Sequence, residues 1–265
     1  MISRTNKGCR RQDRSFCDSD NFCNRKLSWS ELAEILGSKL LAHLRPIAGK
    51  EKTSLYLAGG TVRDILMGRQ PADIDLTVRS GGRRWAAALC RLTGGTYVPL
   101  GKEEDAARVV WQGRDIDFSS YREGALSIEE ELTRRDITIN SMSIPLDPLL
   151  DEQPGDESVM VVDPVGGLAD IGRELIRVTT ADSFRSDPLR LLRVFRFASV
   201  LGFTIEAETA ALISRQKEMI CRVAAERVAH ELDLIMGSSR ASEGVAAMAA
   251  SGLLFAEGQF RKVKG

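Results

Sequence analysis

The sequence has no long apolar run and no excess of charge of either sign. No stretch approaches the roughly 18 consecutive apolar residues of a membrane-spanning helix, and no segment has the apolar core of a secretory signal. Its 37 basic residues balance its 37 acidic residues. A nucleic-acid partner would therefore have to meet a local basic surface rather than a field of the whole molecule. We expect a cytoplasmic protein with no membrane partner.

Cysteine and histidine are too few and too scattered to form a metal or disulfide framework. The first three cysteines are spaced too loosely for a zinc site, and neither of the two histidines is near them in sequence. An odd number of scattered cysteines fits free thiols in a reducing compartment. The five are Cys9, Cys17, Cys23, Cys90 and Cys221.

The 265 residues, 43% apolar and 28% charged, are enough to bury a sizeable core. We expect residues 1–27, which have few apolar side chains and a net charge of +4, to form a disordered basic tail. This tail could contact RNA phosphates, remain a solvated segment, or reflect a misassigned start codon. A helix should then begin at Ser28 or Ser30, continue to Leu44, and end at Arg45-Pro46.

Residues 55–78 are the most informative stretch. A short apolar strand runs into Gly59 and Gly60, and Thr61 is expected to cap a helix that begins near Val62. Two glycines between a strand and a helix let the backbone approach a phosphate. The free amides and the positive end of the helix dipole can then hold that anion.

The next strand carries two acids on one face. Asp73 and Asp75 are two residues apart, so both carboxylates project from the same face while Ile74 and Leu76 point into the core. Adjacent like charges repel, and Mg²⁺ is a natural partner because it prefers carboxylate oxygens and bridges to substrate phosphates. A lone D-x-D is also common on solvated strands, but the glycine turn just upstream favours the metal interpretation.

Five ordered segments resemble the tRNA nucleotidyltransferase and bacterial poly(A) polymerase family, which belongs to the polymerase-beta-like nucleotidyltransferase superfamily. Residues 59–64 with 73–75 resemble its glycine and D-x-D signature, and residues 132–142 resemble its R-R-D-x-T-x-N motif. Residues 161–171 resemble D-P-x-G-G-x-x-D-L, and residues 225–232 resemble the E-R-x-x-x-E-L neck helix. Between them, Asp187 and Arg190 match the second and last letters of E-D-x-x-R, with Ser186 in place of the glutamate, which leaves base selectivity open.

The resemblance implies an α+β fold. A polymerase-beta-like nucleotidyltransferase head, a mixed sheet with flanking helices, should span residues 28–178, and an all-α neck should span residues 179–265. The pattern of short strands and helices in the head is consistent with this fold. The resemblance covers head and neck only, from about residue 55 to residue 236, whereas the family usually continues into further helical domains that grip RNA.

The resemblance also implies the reaction: transfer of AMP or CMP from ATP or CTP to an RNA 3′ end, most naturally that of a tRNA, with two Mg²⁺ ions. Asp73 and Asp75 would hold the metal ions. Asp117, on a later strand, would be the third acid, although an exposed strand aspartate with no such role is the alternative. Capping and ion pairing are the alternative for the R-R-D motif, whose Asp136 and Asn140 would share one face if it were helical.

The nucleotide-binding residues follow from the same motifs. Glycines and an arginine near the turn should cradle phosphates, the R-R-D motif should take ribose and triphosphate, and the E-D-x-x-R match should read the base. An arginine row recurs every three residues on a helix that Asp187 should cap, and it suits triphosphate or RNA backbone. The expected residues are Gly59, Gly60, Arg63, Arg135, Asp136, Asn140, Asp187, Arg190, Arg193 and Arg196.

Two alternatives stay open at this point. CCA addition and poly(A) addition share every motif seen here. A protein that only binds nucleotide or RNA, with little or no activity, is the alternative from another class, and a second copy or a partner subunit could then supply the missing grip on RNA.

Overall fold

A six-stranded mixed sheet lies at the centre of the computed structural model, which describes residues 27–101, 104–122, 124–151 and 158–256. The strand order is β3-β4-β5-β2-β1-β6. Only the central β2–β5 pair is parallel, and the other four pairings are antiparallel. The strands are β1 Leu55–Ala58, β2 Asp73–Val78, β3 Thr96–Leu100, β4 Ala106–Trp111, β5 Arg114–Ser120 and β6 Ser143–Pro145.

Helices cover this sheet and bury its apolar side chains. Trp85 of a covering helix stacks on Phe118 of β5, with 6.3 Å between ring centroids, and both side chains are fully buried. The mixed sheet with flanking helices confirms the predicted fold class. The helices are α1 Trp29–Leu36, α2 Ser38–Glu51, α3 Gly59–Leu66, α4 Gly82–Thr93, α5 Ile128–Thr133, α6 Asp147–Leu150 and α7 Gly167–Gly172.

The carboxyl-terminal part is helical apart from a two-stranded parallel ribbon of β7 Leu175–Ile176 and β8 Thr204–Ile205. Its central helix α9 (Arg190–Leu201) packs on α11 (Ala225–Met236) and α12 (Ala241–Ala250) through buried apolar residues. In the described part of the chain, no helix is long and apolar enough to cross a membrane. The helices are α8 Ser183–Ser186, α9 Arg190–Leu201, α10 Ala207–Gln216, α11 Ala225–Met236 and α12 Ala241–Ala250, with 3₁₀ turns at Thr138–Asn140, Lys217–Arg222 and Leu253–Phe255.

The first predicted helix is wrong in its length and its end. Ser28 caps α1 as expected, but Gly37, with φ of +87°, ends that helix, and α2 then continues through Pro46. A proline inside a helix costs about 3 kcal/mol. Here Leu44 and Ile47 are buried on either side of it, and burying two such side chains offsets that cost.

The expected disordered tail falls almost wholly on residues 1–26, which lie outside the described residues. Leu27, which we assigned to that tail, is buried in the core and its carbonyl accepts a hydrogen bond from the amide of Val159. The polar end from residue 257 onward also lies outside the described residues.

The prediction that Thr61 caps a helix is wrong. Helix α3 already begins at Gly59, so Thr61 lies inside its first turn. Its hydroxyl donates to the carbonyl of Asp73 at 3.2 Å and accepts from the amide of Asp75 at 2.8 Å. Thr61 therefore ties the glycine turn directly to the strand that carries the two acids.

Candidate active site

The parallel pairing of β2 with β5 brings three carboxylates together. In this register Asp75 lies opposite Asp117, and Asp73 lies opposite Asp115. Residues that alternate with these acids are buried beneath the sheet, so the acids share the other face. Carboxylate oxygens of Asp73, Asp75 and Asp117 lie within 4.8 Å of one another.

This crowding changes how readily the acids ionise. Burial, followed by the charge of neighbouring Asp73, raises the pKa of Asp75 to about 6. Burial and the charge of Asp117 also raise the pKa of Asp73. The hard oxygens of these two acids, together with those of Asp117, fit a divalent cation such as Mg²⁺, which would remove the repulsion between the charges.

Arg108 is a member of this site that sequence reasoning missed. It lies on β4 opposite Asp117, where its Nε and Nη2 donate to the two oxygens of Asp117 at 2.7 Å and 2.8 Å. It also forms an ion pair with Asp115. The hydrogen bond to Asp117 is the main reason that the pKa of Arg108 is raised. Only the pairing of β4 with β5 reveals this contact, because nothing in the local pattern distinguishes Arg108 from any strand arginine.

The glycine turn lies directly beside the acids. Gly59 has φ of +69°, a conformation that costs glycine little and other residues more. A Cβ at this position would lie 2.8 Å from Nη1 of Arg135 and 3.1 Å from Oδ2 of Asp75. At Gly60 the nearest atom to such a Cβ, on Arg63, would be 3.5 Å away. The close approach of Arg135 and Asp75 thus requires glycine at position 59, whereas a Cβ at position 60 would make only ordinary contacts.

Arg63 is held inside the protein rather than presented to a ligand. Its Nε donates to Asp64 at 2.8 Å and its Nη1 donates to Asn140 at 2.7 Å. The guanidinium also lies over the ring of Phe197, 5.5 Å from its centroid. Arg63 consequently orients Asn140, which lines a cleft between the sheet and the helical part.

The R-R-D motif is not the helix whose shared face we considered. Ile137 is extended and bridges to Val178, and the chain then forms a 3₁₀ turn up to Asn140. Arg135 is buried and donates to Thr77 at 3.1 Å. The motif therefore connects the sheet to the neck instead of presenting one helical face.

Asp136 makes the principal ion pair between head and neck. Arg193 of α9 donates to its Oδ2 from Nε at 2.8 Å and from Nη2 at 2.5 Å. Burial acts to raise the pKa of Asp136, but Arg193, Arg190 and the amide of Ile137 together outweigh burial and hold that pKa well below the usual range. Ion pairing, which we gave as part of the alternative for this motif, therefore does occur. Arg193 also lines the cleft.

The remaining neck residues have partners of their own. Asp187 does not cap α9, which begins at Arg190. Instead it accepts from the amide of Leu189 at 3.2 Å and from Arg227 at 3.1 Å. Arg190 donates to the carbonyl of Arg134 at 2.9 Å.

Arg196 lies against Glu231 of α11, with 3.0 Å between Nε and Oε2. Its guanidinium also covers the ring of Phe197 at 4.3 Å from the centroid. Glu231 is only 3% exposed. Arg196 therefore neutralises a buried carboxylate inside the neck.

A cleft of about 780 Å³ lies between the sheet and the neck. It brings together most of the site residues predicted from sequence, but Asp73, Arg63 and Arg196 are not among its lining residues. The predicted residues that line it are Gly59, Gly60, Asp75, Asp117, Arg135, Asp136, Asn140, Asp187, Arg190 and Arg193.

Sequence reasoning missed the wall of the cleft that is formed by the loop before β4 and the end of β5. Asp105 accepts hydrogen bonds from the first amides of α4 and from Ser120. Tyr121 and Arg122 continue this wall. A run of polar residues beside an aromatic residue and an arginine was the only available signal. The missed lining residues include Thr77, Glu104, Asp105, Ser119, Ser120, Tyr121 and Arg122.

Comparison with known proteins identifies two family models along the chain. Residues 55–177 match the model described as the poly A polymerase head domain. Residues 202–255 match the model described as a probable RNA and SrmB-binding site of polymerase A. The segment between the two matches, residues 178–201, contains α8 and α9, the first helices of the helical part.

Two relatives and one solved structure illustrate the similarity. A CC-adding tRNA nucleotidyltransferase of Geobacter sulfurreducens is 36% identical over 200 residues, which is 75% of this chain and 44% of the relative. An A-adding tRNA nucleotidyltransferase of Halalkalibacterium halodurans is 34% identical over 216 residues, covering 74% of this chain and 48% of the relative. A tRNA nucleotidyltransferase solved with a primer tRNA and an incoming ATP analogue aligns with a TM-score of 0.70 at 28% identity, over 82% of this chain and 62% of that one. The chain thus spans about half the length of the curated relatives it matches.

Proposed function

The chain belongs to the tRNA nucleotidyltransferase and poly(A) polymerase family, and from that premise we propose that it transfers AMP or CMP from ATP or CTP to the 3′ end of an RNA. One observation carries the proposal. Three carboxylates on two paired strands, Asp73, Asp75 and Asp117, meet within 4.8 Å. They do so directly beside a glycine turn at a helix start, which is where a triphosphate could be held.

We propose that Asp73 and Asp75 hold two Mg²⁺ ions, since their carboxylate oxygens are hard donors. Burial and the neighbouring negative charge raise the pKa of Asp75, and a bound cation would relieve that repulsion. When bound there, Mg²⁺ would lower the pKa of the attacking 3′-hydroxyl and neutralise charge on the triphosphate. Asp117 would orient that hydroxyl from the adjacent strand. The leaving group would be pyrophosphate.

The nucleotide would lie along the cleft. Gly59 and Gly60 allow the phosphates close to the backbone, and Arg135 adds positive charge behind them. Asn140 faces the same cleft and would bond ribose hydroxyls. In the neck, Asp187 is the residue best placed for a base edge, because its exposed pair with Arg227 can exchange partners at little cost.

The RNA partner that we propose is a tRNA 3′ end, in keeping with the names of the relatives. Those names include both CC-adding and A-adding enzymes at similar identity, so selectivity between CTP and ATP has to be measured. The proposed location remains the cytoplasm. The acidic residues are all present, which favours an enzyme over a protein that only binds nucleotide or RNA.

The test is incorporation of labelled ATP and CTP into a tRNA that lacks its 3′ CCA, in the presence of Mg²⁺, with the products sized on a gel. We expect one to three added residues; a long ladder from ATP alone would instead assign poly(A) addition. Asp75→Asn should abolish incorporation. Asp182→Asn, which removes an exposed carboxylate of the neck, should leave incorporation unchanged.

Tight binding of tRNA in a gel shift, with no incorporation by the unmodified protein, would overturn the enzymatic proposal. It would favour the binding protein instead. Retained turnover in Asp75→Asn would contradict the metal assignment while leaving the reaction itself in place.

A further inference from the structure

Arg108 connects three acids of β2 and β5. Its guanidinium donates to both oxygens of Asp117, forms an ion pair with Asp115, and approaches Asp73 at 3.8 Å. The side chain of Arg108 is 30% exposed. It is therefore anchored by carboxylates but not enclosed by the core, and it has room to change which carboxylate it bonds.

The strand register explains this arrangement. The β4–β5 pairing sets Arg108 opposite Asp117, and the β5–β2 pairing sets Asp117 opposite Asp75. Arginine and the two acids thus form one row across three neighbouring strands. Asp115 lies two residues before Asp117 on the same face. It is not part of the acidic triad, the cluster of Asp73, Asp75 and Asp117.

The contact has a consequence for any cation at the triad. A guanidinium keeps its positive charge at every working pH, so a divalent ion must bind close to a fixed like charge. The same guanidinium holds Asp117 in place while no ion is bound. Asp115 then offers Arg108 a carboxylate that the ion does not need.

We propose that Arg108 is a positioning residue whose positive charge lowers the affinity of the site for divalent cations. It holds Asp117 in the triad before the cation binds and shifts its bonds toward Asp115 when the cation takes the oxygens of Asp117. This inference rests on the proposed metal-dependent function, and it adds a residue to which neither the family motifs nor our sequence predictions assign a role.

The test is the affinity for Mn²⁺, measured by the electron paramagnetic resonance signal of the free ion, in the unmodified protein and in Arg108→Met. A positive charge several ångströms from a divalent ion weakens binding of that ion about tenfold, even when the dielectric constant of water is used. We therefore expect Mn²⁺ to bind about tenfold more tightly to Arg108→Met. In EDTA the variant should have a lower Tm, because Asp73, Asp115 and Asp117 lose the positive charge of Arg108. Mere damage to the fold would weaken Mn²⁺ binding, so the direction of the change separates the two explanations.

Two further variants control for charge and for stability. Arg108→Lys keeps the charge and should bind Mn²⁺ with nearly the original affinity, even if Arg108→Met folds poorly. Arg114→Met is the matched control, because this arginine of neighbouring β5 donates to carbonyls of α1 instead of carboxylates. It should leave Mn²⁺ affinity unchanged.

Asp115 gives an independent check. Asp115→Asn should weaken Mn²⁺ binding in the unmodified background, since Arg108 then has only Asp117 as a close partner. The effect should be much smaller in the Arg108→Met background, because interacting residues are not additive. Equal effects in the two backgrounds would overturn the role of Asp115.

The outcomes distinguish this inference from the proposed function. If the unmodified protein binds no more Mn²⁺ than a variant with both Asp73→Asn and Asp75→Asn, the proposed metal site fails and this inference fails with it. If the unmodified protein binds Mn²⁺ and Arg108→Met binds it equally or more weakly, the metal site stands and the role of Arg108 is refuted.

Discussion

Replacing Asp75 by asparagine should stabilise the metal-free protein at neutral pH while it removes activity. In the folded chain, burial and the charge of Asp73 raise the pKa of Asp75 from 3.8 to about 6. Each pKa unit corresponds to about 1.4 kcal/mol. Ionising this carboxyl in the folded state is therefore up to about 3 kcal/mol less favourable than in the unfolded chain. Asparagine has nearly the same shape and does not ionise, so the variant avoids this cost.

The same shift determines how stability should depend on pH. Between about pH 4 and pH 6 the folded protein retains a proton on Asp75 that the unfolded chain has lost. The free energy of unfolding should accordingly fall as the pH rises through this window, and become level above it. Asp136 acts at lower pH, because its pKa is held well below the usual range. Its stabilising contribution is present above about pH 4 and is lost as the pH falls further.

The measurement is urea unfolding in EDTA from about pH 4.5 to pH 8, with Asp182→Asn as the control for loss of an exposed carboxylate. We expect the curve of the unmodified protein to fall with rising pH and that of Asp75→Asn to fall less, because only the raised pKa of Asp73 then remains. Adding Mn²⁺ at pH 7.5 should stabilise the unmodified protein and Asp182→Asn but not Asp75→Asn. The reasoning is refuted if Asp75→Asn is no more stable than the unmodified protein in EDTA at pH 7.5.

Three other substitutions test single contacts. Gly59→Ala should lose about 1–3 kcal/mol of stability in urea and most nucleotide incorporation, because its φ is +69° and a Cβ would meet a neighbour at 2.8 Å. Gly60→Ala should be nearly neutral in the same urea assay, because a Cβ there would have its nearest neighbour at 3.5 Å. Asp136→Ala should lower the free energy of unfolding in urea by about 3 kcal/mol, since it leaves Arg193 without its main partner, and unchanged stability would contradict that. Asp187→Asn should change the ratio of CMP to AMP incorporated while stability changes by less than about 1 kcal/mol; an unchanged ratio would remove Asp187 from base recognition.

Short-range pattern was sufficient to predict the centre of the site. The alternation that exposes Asp73 and Asp75, and the glycine turn before them, are properties of neighbouring residues. The register that places Asp117 beside Asp75 is different, because it joins strands about 40 residues apart. Resemblance to a family identified Asp117, but no periodicity in the sequence implies the pairing. Arg108 was missed for the same reason.

Where local rules failed, tertiary packing was stronger. Pro46 should end a helix, yet α2 continues past it because the residues on either side are buried. Asp136 and Asn140 have the spacing of one helical face, but Ile137 between them pairs with Val178 as a bridge. In each case a contact with a distant part of the chain outweighs a local preference.

The arginine row on α9 is held in place by packing contacts, yet one of its members still lines the cleft. A three-residue period predicts phosphate binding, yet Arg193 and Arg196 each hold a buried carboxylate, Asp136 or Glu231. Arg193 nevertheless lines the cleft, and its bonds to Asp136 use Nε and Nη2 only. Its Nη1 lies 3.8 Å from Glu231, beyond hydrogen-bonding distance. A triphosphate in the cleft could therefore gain from this charge without breaking the pair that joins head and neck, so packing and nucleotide binding would share one guanidinium.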